Sequence, residues 1–190
     1  GFSFPERLLS HEHAQELAEL WVTALGALAA HAATPGAGGA SPSDFPLVHV
    51  TQAELDSWPA GVLVWPLAPL QAGLLFHSRA VAYDPYTVSM ALGLTGVLDV
   101  ERLERAGNAL LARHASMRTA FADAASGPVQ IVYPEVRLRV ATSDRWGASA
   151  AEVLDIDRDT PFDLAGPEKL RLHVVRTGEQ DFQLVITCHH

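Results

Sequence analysis

Two adjacent histidines, His189 and His190, follow an apolar run and are the side chains best suited to chemistry. An imidazole titrates near neutral pH, so it can take a proton from an amine or a hydroxyl group, as acyl transfer requires. The preceding residues alternate as in a strand, with one face formed by Phe182, Leu184, Ile186 and Cys188 and the other by Gln183, Val185 and Thr187. Because strand side chains alternate between faces, we expect the two histidines to point to opposite sides, with at most one entering a given cavity.

Taken alone, the pair is open to other interpretations. Most His-His pairs are packed, hydrogen-bonded residues with a structural role. A metal-binding pair is conceivable, but no acidic or cysteine partner lies at a ligand-like spacing nearby.

Three upstream segments are each weak signals by themselves. Residues 67–77 predict a core helix that has Leu67, Leu70, Leu74 and His77 on one face, with Gln71 exposed or capping. Residues 113–121 predict a helix end followed by a strand opened by Arg118, which would need an anionic partner if buried. Residues 160–164 predict a loop that buries Phe162.

The surrounding elements alternate between helix and strand from about residue 60 onward. Asp99 predicts the N-cap of a helix with Leu103, Ala106, Leu110 and His114 on one face. The remaining predicted elements are a helix over 67–80, strands over 86–94, 117–122 and 129–133, a helix over 148–157, and a hairpin of 170–175 with 182–188.

The first third of the chain has a different character. Residues 10–33 predict one amphipathic helix with Ser10 as its N-cap. Residues 34–46 hold three glycines and three prolines, which oppose both helix and sheet. This composition favours a domain boundary; the alternative is a long surface loop within one domain.

Composition excludes several classes of function. A net charge of -9 makes nucleic acid and anionic membrane surfaces unsuitable partners. The single cysteine, Cys188, fits a reducing compartment. No apolar stretch reaches the roughly 20 residues that span a bilayer, so a cytoplasmic protein is expected.

Together, the four segments occur in an order that resembles one family, the condensation domains of nonribosomal peptide synthetases. The resemblance covers residues 60–190 and ends inside the family's His-His-x-x-x-Asp-Gly motif. The matching segments are Pro66-Leu67-Ala68-Pro69-Leu70-Gln71-Ala72-Gly73-Leu74-Leu75-Phe76-His77, Arg113-His114-Ala115-Ser116-Met117-Arg118-Thr119-Ala120-Phe121, Thr160-Pro161-Phe162-Asp163-Leu164 and His189-His190.

The resemblance implies an α/β (α+β) fold: an incomplete lobe like that of chloramphenicol acetyltransferase, with a mixed sheet and flanking helices. It also implies three parts. Residues 1–33 would be the C-terminal helix of a preceding condensation or epimerization domain, and residues 34–59 an interdomain linker. Residues 60–190 would be the N-terminal part of a condensation domain.

The resemblance further implies amide bond formation between a carrier-bound acyl or peptidyl thioester and a carrier-bound aminoacyl group. Both substrates would ride on the phosphopantetheine arms of upstream and downstream peptidyl carrier proteins, alongside neighbouring synthetase domains, and the domain itself would bind no cofactor or metal. His190 matches the catalytic histidine and His189 a supporting one. Arg118 matches an arginine that pairs with the motif's aspartate to hold the catalytic loop. Because that aspartate is absent, we expect the 190-residue chain to be inactive alone.

Two alternatives stay open. An epimerization domain has the same fold and histidine pair but inverts an α-carbon. A non-catalytic relative would only recruit a partner enzyme.

Overall fold

The structure is a computed structural model that describes residues 3–35, 37–81, 85–158 and 160–189. It forms two compact units, residues 1–40 and residues 41–190. The helices are α1 (His11–Ala32), α2 (Gln52–Ser57), α3 (Pro69–Ala80), α4 (Val100–Arg113) and α5 (Ala150–Arg158), with single 3-10 turns at Pro42–Asp44 and Ala115–Arg118. The strands are β1 (Leu63–Pro66), β2 (Thr87–Thr95), β3 (Thr119–Ala124), β4 (Gly127–Val132), β5 (Val140–Asp144), β6 (Leu170–Arg176) and β7 (Asp181–His189).

The first unit is dominated by α1, which confirms the predicted amphipathic helix. Ser10 caps it: the Ser10 hydroxyl oxygen accepts a hydrogen bond from the backbone N–H of His13 at 3.2 Å. None of the residues of α1 is buried, and Trp21 is 55% exposed. No helix in the described part of the chain, α1 included, is long and apolar enough to span a membrane.

The second unit contains two sheets. The first has the order β1-β4-β3 and is antiparallel, and the second has the order β2-β7-β6-β5. In the second sheet, β5 pairs with β6 in parallel and the other two pairings are antiparallel, so the predicted mixed sheet is confirmed. The hairpin of β6 and β7 is also as predicted, whereas β1 and β5 have no counterpart among the predicted strands.

The segment before β1 is part of the core of the first sheet. Phe45, Val50 and Leu55 are buried against residues of β1 and β4, among them Val64 and Ile131. The short helix α2, which carries Leu55, is fixed by a capping box between Thr51 and Glu54. Residues 45–55 therefore belong to the same compact unit as the strands that follow them.

The second sheet is packed on both faces. On one face, Leu172, Leu184 and neighbouring residues pack with Leu111 of α4. On the other face, Val175 and Val185 pack with Val153 of α5. The side chains of β7 alternate between these faces as predicted, which places Leu184 in one cluster and Val185 in the other.

Two predicted helix faces are wrong in detail. In α4 the buried residues are Gly107 and Leu111, whereas Ala106, Leu110 and His114 are exposed. The reason is close approach: a Cβ on Gly107 would overlap a methyl carbon of Leu138 and lie 3.5 Å from a methyl carbon of Leu172 in β6, so the helix approaches the sheet through its smallest residue.

In α3 the buried residue is Leu75, while Leu70 and His77 are exposed. The predicted apolar face of this helix therefore differs from the buried one, because Leu70 borders an open cavity (described below) instead of a packed core.

Candidate active site

A cavity of about 450 Å³ lies where the two sheets meet. All four of the sequence segments described above contribute to its wall. Its lining residues are Leu70, Gln71, Leu74 and Leu75 of α3, Ser116 and Met117 of the second 3-10 turn, Thr119, Phe121 and Gln130 of the first sheet, Leu164, Lys169, and Cys188 and His189 of β7. Residues as far apart in sequence as Leu70 and His189 are thus brought to one place.

His189 is the last residue of β7 and lies at this cavity. Its backbone N–H donates to the carbonyl of Lys169 at 3.1 Å, which anchors the strand end. Its imidazole meets two aromatic rings edge-on, Tyr86 and Phe162, each with a centroid separation of 6.4 Å. The Tyr86 hydroxyl in turn lies 2.8 Å from Nδ1 of His77. His190 lies outside the described residues.

Arg118 is half-buried and does not line the cavity. It is the last residue of the 3-10 turn, so the strand begins at Thr119, two residues after the predicted start at Met117. Its guanidinium donates to backbone carbonyls of Leu111 at 2.9 Å, of Pro134 at 3.0 Å, and of Tyr133. Three carbonyl dipoles thus stabilise the charge, and the Arg118 side chain joins the end of α4 to the segment after β4. The predicted pairing of Arg118 with the motif's aspartate stays a prediction.

The loop of residues 160–167 carries Phe162, which is buried as predicted. The guanidinium carbon of Arg171 lies 4.1 Å from the centroid of that ring, a cation–π contact. The loop is tied to β3 by a hydrogen bond of 2.9 Å from the Phe121 N–H to the Leu164 carbonyl. The carboxylate of Asp163 accepts from the Ala165 N–H at 2.9 Å and closes a local turn.

Lys169 is a site residue that the sequence analysis missed. It is only 7% exposed, and its ammonium donates to the carbonyl of Asp163 at 3.1 Å and to that of Gly166. Burial lowers the pKa of Lys169 to about 8, an effect that the charges of Asp163 and Glu168 partly offset. One signal could have found it: Lys169 is the only lysine among the 13 lysine and arginine residues of the chain.

Gln71 and Gln130 connect the helix side of the cavity to the first sheet. The Gln71 side-chain carbonyl accepts from the Ala68 N–H at 2.9 Å and so caps α3, the second of the two roles that the sequence left open for it. The two glutamine amides lie 3.4 Å apart, and Gln130 also donates to the Pro66 carbonyl at 2.9 Å. Among the described residues, no group of three or more His, Cys, Asp and Glu side chains is placed to hold a metal ion.

The family profile described as Condensation domain matches residues 63–190. The chain belongs to the condensation-domain family. One linear gramicidin synthase subunit from Brevibacillus parabrevis is 35% identical over 198 residues, covering 95% of this chain and 2% of that protein. Another linear gramicidin synthase subunit from the same organism is 36% identical over 203 residues, covering 100% of this chain and 4% of that protein. This condensation-domain chain thus spans a few per cent of the length of the curated relatives that it matches.

Solved structures give the same fold. The condensation domain from the Monacolin K polyketide synthase MokA is similar with a TM-score of 0.59 and 26% identity, over 67% of this chain and 30% of that one. The X-domain in a complex with OxyB from teicoplanin biosynthesis is similar with a TM-score of 0.59 and 26% identity, over 65% of this chain and 27% of that one. The predicted fold class is therefore confirmed for this condensation domain.

Proposed function

We propose that residues 60–190 are the N-terminal part of a condensation domain that forms amide bonds in a nonribosomal peptide synthetase. The observation that carries this proposal is the convergence of all four motif segments on one cavity beside His189. The family membership and the synthetase relatives support it.

In the proposed reaction, an acceptor amine attacks the carbonyl carbon of a donor thioester. The new C–N bond forms, the C–S bond breaks, and the donor arm leaves as a thiol that takes up the proton released by the amine. A histidine at the cavity would orient the amine or accept its proton, a contribution of roughly 10²–10⁴-fold where it operates. We assign this role to His190 and a supporting role to His189, whose ring is held between Tyr86 and Phe162.

Arg118 is proposed as structural support for the catalytic loop. It fixes the turn whose residues Ser116 and Met117 border the cavity, through carbonyls of α4 and of the segment after β4. Three of the five N–H groups of the guanidinium, those on Nε and Nη1, already have acceptors. In a longer chain the two N–H groups on Nη2 would be left to bind a carboxylate.

The proposal extends to the surroundings of the domain. Upstream and downstream peptidyl carrier proteins would deliver both substrates on phosphopantetheine arms, in the cytoplasm, and the domain itself would need no cofactor. Residues 1–33 would be the C-terminal helix of a preceding condensation or epimerization domain, and residues 34–59 would be the linker, of which residues 45–55 pack against the first sheet. The match to the gramicidin synthase relative that covers 100% of this chain, α1 included, supports this arrangement. The 190 residues alone would be inactive.

The first test is to translate the reading frame beyond His190. An Asp-Gly pair after three further residues completes the motif, and the polypeptide extended through the whole domain is then assayed with loaded carrier proteins by mass spectrometry of the acceptor. We expect a lengthened acyl chain on the acceptor, lost in His190→Ala and reduced in His189→Ala. An intact motif without amide product, but with inversion of a carrier-bound residue, would assign an epimerization domain instead.

A second candidate is recruitment of a partner enzyme. It is favoured by the similarity to the X-domain whose structure was solved in a complex with OxyB. In that case the residues after His190 need not complete the motif, and the extended protein would bind a partner without forming product.

A further inference from the structure

The imidazole of His189 is positioned from two directions. Its own strand holds the backbone, because the His189 N–H donates to the carbonyl of Lys169 at 3.1 Å. At the ring, Phe162 of the loop of residues 160–167, itself 8% exposed, meets the imidazole edge-on at 6.4 Å, and Tyr86 makes a second contact of the same kind. A displacement of Phe162 therefore changes the surroundings of the ring.

Lys169 is bonded both to the strand end that carries His189 and to the loop that carries Phe162. Its backbone carbonyl accepts a hydrogen bond from the His189 N–H, and its ammonium donates to the carbonyls of Asp163, at 3.1 Å, and Gly166. Asp163 is the neighbour of Phe162 in sequence. The side chain of Lys169 therefore closes the loop that supports the imidazole, while its backbone fixes the strand that carries the imidazole.

The choice of a lysine here has a cost that packing does not explain. An ammonium with 7% exposure loses hydration, and burial lowers its pKa to about 8. A methionine of similar length would fill the same space without that cost. What lysine adds is a set of N–H donors for two carbonyls, and an amine keeps two of them even after it loses its proton.

We propose that Lys169 is a positioning residue for His189: its side chain holds the loop of residues 160–167 so that Phe162 keeps the imidazole in a fixed orientation at the cavity. An effect of Lys169 on amide formation rests on the proposed function. The effect of Lys169 on the orientation of the His189 ring does not rest on it, so ring orientation and amide formation are measured separately.

The test uses nuclear magnetic resonance of the imidazole protons of His189 in the 190-residue chain. The signal is assigned among the nine histidines with a His189→Gln variant. Phe162→Leu removes the ring and defines the shift expected when the contact is lost. We expect Lys169→Met to move the His189 signals in the same direction and Lys169→Arg, which keeps N–H donors, to restore part of the original position.

A double variant separates positioning from general loosening. If Lys169 acts through Phe162, adding Lys169→Met to Phe162→Leu produces no further shift. Arg105→Met is the matched control, because it removes one positive charge from an exposed site with only a 3.9 Å ion pair. Urea unfolding of each variant verifies that it is folded. If Lys169→Met is not folded, the Lys169→Arg single variant is compared with the Lys169→Arg, Phe162→Leu double variant instead.

Two results would overturn the proposal. One is a His189 signal unchanged by Lys169→Met, and the other is an equal shift in the presence and absence of Phe162. In the extended domain, we expect Lys169→Met to lower kcat with little change in KM. If the wild-type domain forms no amide, the proposed function fails while the resonance measurements still decide the positioning role.

Discussion

The cavity has two unlike walls. The strand wall consists of Lys169, Cys188 and His189, and the helix wall consists of Leu70, Gln71, Leu74 and Leu75 of α3. In β7, which carries Cys188 and His189, the neighbouring residues Val185 and Thr187 have no exposed surface. The helix wall has one buried residue, Leu75 at 5%, while Leu70 is 72% exposed.

This difference indicates how each wall is held. The strand wall is set by core packing on both faces of the second sheet, so its geometry is specified by many buried contacts. The helix wall depends on Leu75 and on the side-chain contacts of Gln71. His189 thus lies on the wall that is backed by the more completely buried residues.

The largest expected effect comes from Leu172→Ala, which weakens the core behind the strand wall. Leu172 is 7% exposed in β6, so we expect a loss of about 2–5 kcal/mol in the free energy of unfolding, measured by urea denaturation. The matched control is Leu92→Ala in the edge strand β2, where the side chain is 45% exposed and about 1 kcal/mol is expected. Equal losses at the two positions would contradict the contrast between sheet centre and edge.

The second prediction uses the buried charge of the strand wall. The pKa of Lys169 is about 8 in the folded chain and near 10.5 when unfolded, so between these values the unfolded chain binds more protons. The destabilising effect of the buried ammonium is therefore fully present below pH 8 and is relieved as the pH rises to 10.5. At about 1.4 kcal/mol per pKa unit, we expect a gain of about 3 kcal/mol relative to Lys169→Met over that interval. Parallel pH profiles for the two proteins would mean that the ammonium is well solvated.

The third prediction concerns Arg118, which supports the turn between the two walls. Arg118→Ala leaves three backbone carbonyls without their charged donor, and we expect a loss of about 2 kcal/mol in urea unfolding. Arg105→Ala, with its exposed ion pair at 3.9 Å, is expected to cost no more than about 0.5 kcal/mol. If the two variants are equally stable, the carbonyl contacts of Arg118 contribute nothing to holding the turn.

Periodicity and capping predicted much of the fold. The alternation of apolar residues predicts β7 and its two faces, and Ser10 and Asp99 mark the starts of α1 and α4. The four-residue strand β1 ends in a proline and has one buried residue, so it shows no alternation. The strand β5 is largely polar and exists through its parallel pairing with β6, a long-range contact that local sequence does not encode.

The sequence predicted the parts of the candidate site that consist of motif side chains. It did not predict the contacts that side chains make with backbone carbonyls. His189 and Phe162 are named by the motifs and lie together. The contacts of Lys169 and Arg118 depend on backbone oxygens that the fold brings near, and a carbonyl is present at every residue. Side-chain chemistry alone therefore does not indicate the main-chain oxygens that accept hydrogen bonds from Lys169 and Arg118.

The smallest expected effect tests the helix wall. Gln71→Ala removes the acceptor for the Ala68 N–H and the 3.4 Å contact with Gln130, and we expect a loss of about 0.5–1 kcal/mol. Gln130→Ala removes the contact between the glutamines but leaves the cap intact, so amide hydrogen exchange at Ala72, in the first turn of α3, should accelerate only in Gln71→Ala. A loss above about 2 kcal/mol in either variant would show that this wall is as firmly held as the strand wall. The placement of His189 on β7 would then need a reason other than the difference in packing.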